Sequence, residues 1–227
     1  MVKKLIIIIT LVLLAIMLMP LITEVKPFEN LSSVSQKYVH AGSEELGSQN
    51  LVTSVIVTYR GLDTLGEVAV LFIATAGIGF FLRRKPEEER KKTKASSLVQ
   101  TGTAFLLPII FLFGVYIFLH GHLTPGGGFQ GGVVIASGIL LLMLANVDTK
   151  INTNILYWVE SVSGAFYIII GIFGLVLAGG FLDNRILPLG EFGKLLSAGA
   201  IPIIYSLIGL KVGAELVGIL NNMQRSQ

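Results

Sequence analysis

Cysteine is absent from the 227 residues, so disulfides, thiolate metal sites and cysteine-held iron–sulfur clusters are excluded on this chain. Histidine occurs three times and never with carboxylates at metal-ligand spacing, which leaves no metal site to expect. There is no Ser-His-Asp arrangement and no dinucleotide fingerprint, so neither catalysis by this chain alone nor a bound cofactor is expected. Nothing points to nucleic acid. Charge is scarce as well, at 14% against 53% hydrophobic residues, with a mean hydropathy of +0.78. That balance excludes a soluble globular domain.

What the chain does have is apolar runs of membrane length. Residues 5–22 follow Met-Val-Lys-Lys and resemble the core of a signal peptide. The run is long enough to span a bilayer and no small-x-small cleavage site follows Pro20, which predicts an uncleaved first transmembrane helix. Residues 24–50 are polar and read as a loop with a short surface helix, in which His40 is solvated. Further spans are predicted at 51–82, 98–119, 133–147, 155–178 and 195–220. Between the second and third lies 83–97, a charged connector from Arg83 to Ser97 and the one strong break in composition. The expected architecture is an all-α integral membrane protein of six transmembrane helices, divided into 1–82, the 83–97 linker and 98–227. With the N-terminus inside, the inner segments carry eleven Lys and Arg and the outer loops four. The positive-inside rule therefore predicts cytoplasmic N and C termini in a multi-pass protein of the cell membrane.

Charge inside the spans is the informative exception. Within 51–82, Arg60, Asp63 and Glu67 occur together. On one continuous helix, at about 100° per residue, Arg60, Asp63, Glu67, Thr64 and Thr53 would share a stripe about 100° wide. A charge at mid-bilayer costs roughly 2.5–3.5 kcal/mol even on the lenient insertion scale, so such residues are retained for a reason. One arginine cannot neutralise two carboxylates. The stripe reads either as a neutralised tie between helices or as a station on a proton or cation path, and the carboxylate surplus favours the path. In the last span Lys211 and Glu215 lie one turn apart, a further pair of candidates. Glu160, Asp183 and Arg185 read as surface charges, and Asn221 and Asn222 as helix-end residues.

The stretch from His120 to Gly132 is rich in glycine but lacks the preceding strand and the Lys-Ser/Thr of a phosphate-binding loop. Pro125 with Gly126, Gly127 and Gly128 instead reads as a structural turn that lets another backbone approach. The short fourth span, about 15 residues or ~22 Å, requires this loop to enter the membrane region under the shelter of neighbouring subunits. His120 and His122 beside it fit interfacial hydrogen bonding or proton relay equally.

Two segments resemble known membrane subunits. Tyr59-Arg60-Gly61-Leu62-Asp63-Thr64-Leu65-Gly66-Glu67 resembles the FRGFDTLGE segment in the last helices of the MrpA/MnhA antiporter subunit. Gly121-His122-Leu123-Thr124-Pro125-Gly126-Gly127-Gly128-Phe129-Gln130-Gly131-Gly132 resembles the GHNxPGGGFxGG signature of the MrpB/MnhB subunit, and Ile208 to Ala214 is similar to its final helix in archaeal forms. The resemblance implies a fusion of the two modules, as in Na⁺/H⁺ antiporter modules and in archaeal membrane-bound hydrogenase and sulfane reductase complexes akin to respiratory complex I. It implies that Arg60, Asp63 and Glu67 match the first motif's arginine and acids, and His122 the second motif's histidine. Two positions depart: Thr58 stands where an acid is usual, and Leu123 replaces the usual asparagine.

The function expected is a non-catalytic membrane subunit of a multi-subunit cation/proton-translocating complex. The partners implied are other MnhA-to-G-like antiporter subunits and a hydrogenase-like redox module. A purely structural scaffold is the alternative, with the charges as interhelical ties. A self-sufficient secondary transporter is disfavoured because the halves show no internal repeat.

Overall fold

The computed structural model describes residues 2–23, 31–82 and 95–226, in which the regular elements are all helical, with no strand. It divides into two compact units, Met1–Lys37 and Tyr38–Gln227. The first holds helix α1 (Val2–Thr23), and the second takes up α2 (Ser33–Leu46) from Tyr38. Then follow α3 (Leu51–Thr53), α4 (Gly61–Phe81), α5 (Ser97–Leu119), α6 (Gly128–Ala145), α7 (Thr153–Phe173) and α8 (Ile201–Ser226). Among the described residues six helices are long and apolar enough to cross a membrane: α1, α4, α5, α6, α7 with its extension to Ala178, and α8. A lipid interior satisfies no backbone group, so runs this apolar fold as helices whose hydrogen bonds close internally. Most of the connector lies outside the described residues, which resume at residue 95.

Within the second unit α8 is the hub, touching α4, α5, α6 and α7. Half of its span is buried, the largest share of the six. The closest approach is to α6. A Cβ on Gly128 would sit 2.6 Å from the Ile208 Cβ, and one on Gly132 would sit 2.7 Å from the Gly209 carbonyl oxygen. Gly128 and Gly132 thus face Gly209 and Gly213 as paired small-xxx-small motifs, the arrangement that brings membrane helices into backbone contact. An adjacent face of α6 meets α5, where a Cβ on Gly131 would lie 2.6 Å from the Gly114 oxygen.

Two expectations are corrected here. The predicted span 51–82 is not one helix. α3 passes into a π-helical turn, Ser54–Tyr59, and the chain breaks at Arg60 (φ −121, ψ 35) before α4 begins. Gly61 follows because the Phe181 carbonyl would stand 2.9 Å from any Cβ there. Thr64 donates to the Ile56 carbonyl at 2.8 Å, capping an acceptor in the wide turn. The fourth span is also longer than 15 residues. Its helix starts at Gly128 and has 18 residues. That is about 27 Å at 1.5 Å per residue, so no deficit remains for neighbouring subunits to shelter. The backbone admitted by the glycines belongs to this chain's own α8.

Candidate functional site

The break at Arg60 changes the geometry of the sequence-predicted stripe. Thr53 and Thr64 are buried, whereas Arg60, Asp63 and Glu67 lie exposed on the chain's own surface. Arg60 pairs with Asp63 at 2.5 Å, three residues on. Asp63 in the first turn of α4 also sits where the helix dipole favours a carboxylate. Glu67, one turn further, forms no ion pair among the described residues, and its charge acts on the buried Tyr167 hydroxyl of α7. That hydroxyl has no hydrogen-bond partner among the described residues.

Below Tyr167, α7 presents Gly164 and then Glu160, seven residues or about 10 Å along the helix. Gly164 makes room for a side chain from α8: its Cβ position lies 3.5 Å from the Cδ of Lys211. The Lys211 ammonium donates to Glu215 Oε1 at 2.6 Å and stands 5.1 Å from the centroid of the Phe72 ring on α4. The pair is almost dry, with 11% of the Lys211 side chain and 1% of that of Glu215 exposed. The second oxygen, Glu215 Oε2, has no partner among the described residues. Glu215 lines a cleft of about 760 Å³ between α4, α7 and α8, with Glu160, Asn221 and Asn222. Tyr167, Lys211, Glu215 and Glu160 thus form a line of polar groups among α4, α7 and α8, with Glu67 on the exposed face of α4.

Glu160 was missed from sequence because it falls near a predicted span end. It is half-buried and faces the cleft. The signal was its spacing, since Glu160, Gly164 and Tyr167 recur at i, i+4 and i+7 on one helical face. Asn221 is likewise buried and lines the cleft. Asp183 is no surface charge. It is 3% exposed and held by Arg185, which also reaches Glu45 at 3.5 Å. The neighbouring Asn184 donates to the Leu46 and Ala198 carbonyls and anchors the loop before α8.

The histidine–glycine loop stands apart from this line. Asn50, the N-cap of α3, donates through its amide to the Gly121 and Thr124 carbonyls at 2.9 and 3.0 Å. Ser48 donates to the His122 carbonyl, and Thr53 to that of Gly121, while Tyr205 donates to Thr53. His122 is fully buried with Nε2 3.3 Å from the Lys194 carbonyl. A carbonyl only accepts, so Nε2 carries the proton and Nδ1, which has no partner, is bare. Burial lowers the imidazole's affinity for a second proton. His120 stacks on Tyr116, 4.1 Å between centroids, with Nδ1 3.1 Å from that residue's carbonyl. His40 is exposed, as its polar segment predicted. Pro125, Gly126 and Gly127 form the turn, and a Cβ on Gly127 would lie 3.2 Å from the Tyr205 ring.

Comparison with known proteins agrees with this membrane architecture. The family described as a domain related to the MnhB subunit of Na⁺/H⁺ antiporters matches residues 98–218, and a second, the MbhE family of MBH subunits, matches residues 3–96. An uncharacterised protein of Methanocaldococcus jannaschii is 30% identical over 195 residues, 74% of each chain. A chain of the membrane-bound sulfane sulfur reductase, an archaeal respiratory membrane complex, is 42% identical, with 98% of each chain covered and a TM-score of 0.83. A chain of the Mrp complex from Dietzia sp. DQ12-45-1b shares the fold at 22% identity and a TM-score of 0.77, with 97% of this chain covering 26% of that one. The protein is a multi-pass protein of the cell membrane.

Proposed function

The chain belongs to the family of domains related to the MnhB subunit of Na⁺/H⁺ antiporters, and from that membership we propose that it is a non-catalytic subunit of a multi-subunit complex that moves Na⁺ and protons across the membrane. Its partners in this reading are antiporter-type membrane subunits, with a redox module as the energy source. The redox module is suggested by the likeness to the sulfane reductase chain. The excess of Lys and Arg in the inner segments supports a reading with both termini in the cytoplasm. The chain is read as two modules joined by the 83–97 linker, each resembling a separate subunit.

The observation that carries the reading is the line of polar groups between α4, α7 and α8. With the exposed residues of α4 it holds more carboxylates than cations: Asp63 takes up Arg60, Glu215 takes up Lys211, and among the described residues the exposed Glu67 and the half-buried Glu160 are left over. A surplus of carboxylates on membrane-spanning helices calls for protons or cations to neutralise it. The closed Arg60–Asp63 and Lys211–Glu215 pairs speak for the scaffold alternative, in which the charges only tie helices together. His120, His122 and the Pro125–Gly128 turn are assigned to structure, because Nδ1 of His120 and Nε2 of His122 meet this chain's own backbone.

The two readings part on purification through a tag on this chain. A translocating subunit is expected to co-elute with antiporter-type membrane subunits, and vesicles bearing the eluted complex should acidify or alkalinise when a Na⁺ gradient is imposed. A chain that elutes alone, or a complete complex whose vesicles never couple Na⁺ to protons, contradicts the proposal.

A further inference from the structure

We propose that the cleft between α4, α7 and α8 is a binding site for one hydrated alkali cation, held between Glu160 and the free oxygen of Glu215. The inference deepens the translocating-subunit reading and rests on it. Glu215 lines the cleft and is 3% exposed, and its Oε2 is a buried carboxylate oxygen without a partner among the described residues. Leaving such a charged acceptor unsatisfied is costly, a penalty that a bound cation or its water removes. The adjacent Asn221 amide nitrogen is buried and unpartnered too, placed to donate to a water of the cation's shell.

The charge of the site selects the ligand class. Glu160 and Glu215 contribute two negative charges and Lys211 one positive, leaving a single negative charge. Among the described residues that line the cleft on α4, such as Phe72, Thr75 and Gly79, none is charged, and on α7 only Tyr157 joins Glu160 as a titratable group. One monovalent cation therefore balances the site. The ligand atoms are hard oxygens, the preference of alkali cations. No three His, Cys, Asp or Glu residues stand together among the described residues, which disfavours a tightly held divalent ion. About 760 Å³ leaves room for an ion that keeps much of its water. Lys211 then serves as the internal competitor: its ammonium holds Glu215 Oε1 when the site is empty and lessens the grip on the cation when it is filled.

The test uses the full chain in lipid nanodiscs and radioactive ²²Na⁺. One saturable site should appear, displaced by unlabelled Na⁺ and untouched by choline. Glu160→Gln should raise the dissociation constant by about tenfold or more, equivalent to at least ~1.4 kcal/mol, with the thermal midpoint unchanged. If that variant does not fold, Glu160→Asp keeps the charge, withdraws it by one methylene and should weaken binding several-fold. Absence of saturable Na⁺ binding by the wild-type chain overturns the site, as does wild-type affinity in a folded Glu160 variant. The translocation reading fails separately, in ion flux by the whole complex.

Discussion

Gly132→Leu is expected to remove the folded protein from membranes. Any side chain at 132 begins with a Cβ 2.7 Å from the Gly209 carbonyl oxygen and 3.0 Å from the Gly213 amide nitrogen. Both are backbone atoms and cannot rotate away. Overpacking usually costs about 1–3 kcal/mol because side chains yield, and here α6 and α8 must separate instead. Separation would break the contact on which α8 carries the rest of the unit, since association of membrane helices depends on such close packing. Gly132→Ala should be intermediate. Gly102→Leu on α5 should be tolerated, because nothing lies within 4 Å of its Cβ position. Size-exclusion chromatography of detergent-solubilised, fluorescently tagged variants measures this. A wild-type monodisperse peak for Gly132→Leu would mean that the α6–α8 crossing is wrong.

Lys211→Met is the second large effect. It leaves the Glu215 carboxylate, 1% exposed, without its counter-ion or its hydrogen bond. Breaking a buried pair by removing one partner costs on the order of 3–5 kcal/mol, whereas removing both charges is often nearly neutral. The ammonium's contact with Phe72 adds about 0.5–2 kcal/mol to what is lost. The single variant should therefore unfold at a clearly lower temperature in detergent, and Lys211→Met with Glu215→Gln should recover most of the loss. Equal destabilisation by the single and double variants would show that Lys211 matters for packing and not for charge. If the cleft binds alkali cations, NaCl should raise the midpoint of the single variant more than choline chloride does.

These two sites differ in how far the sequence disclosed them. Lys211 and Glu215 were conspicuous as charges one turn apart in an apolar helix. The glycines at 128, 132, 209 and 213 were visible too, yet 128 and 132 read as parts of a loop, since glycine lowers helix propensity in water. In a membrane bundle the same residue favours helices by letting them touch. The helix break at Arg60 escaped the stripe argument because that argument assumed unbroken rotation of 100° per residue. The π turn at Ser54–Tyr59 shifts the phase, so Thr53 and Thr64 turn inward while Asp63 and Glu67 stay outside. Glu160 could not be ranked from its own helix. It matters because α4 and α8 close around it, and that pairing lies between residues far apart in the chain. The six spans were legible because bilayer length is written locally, in runs of apolar residues.

The central claim is that the carboxylate surplus along α4, α7 and α8 serves ion movement. Glu67→Gln tests it most directly, because it keeps the shape of an exposed side chain and removes only the charge and the exchangeable proton. The complex carrying this variant is purified, its subunit content matched to wild type, and Na⁺-driven proton movement recorded in reconstituted vesicles. Intact assembly with severely impaired coupled transport is the predicted result. Wild-type transport by the fully assembled Glu67→Gln complex would contradict the account and leave the charges as ties between helices.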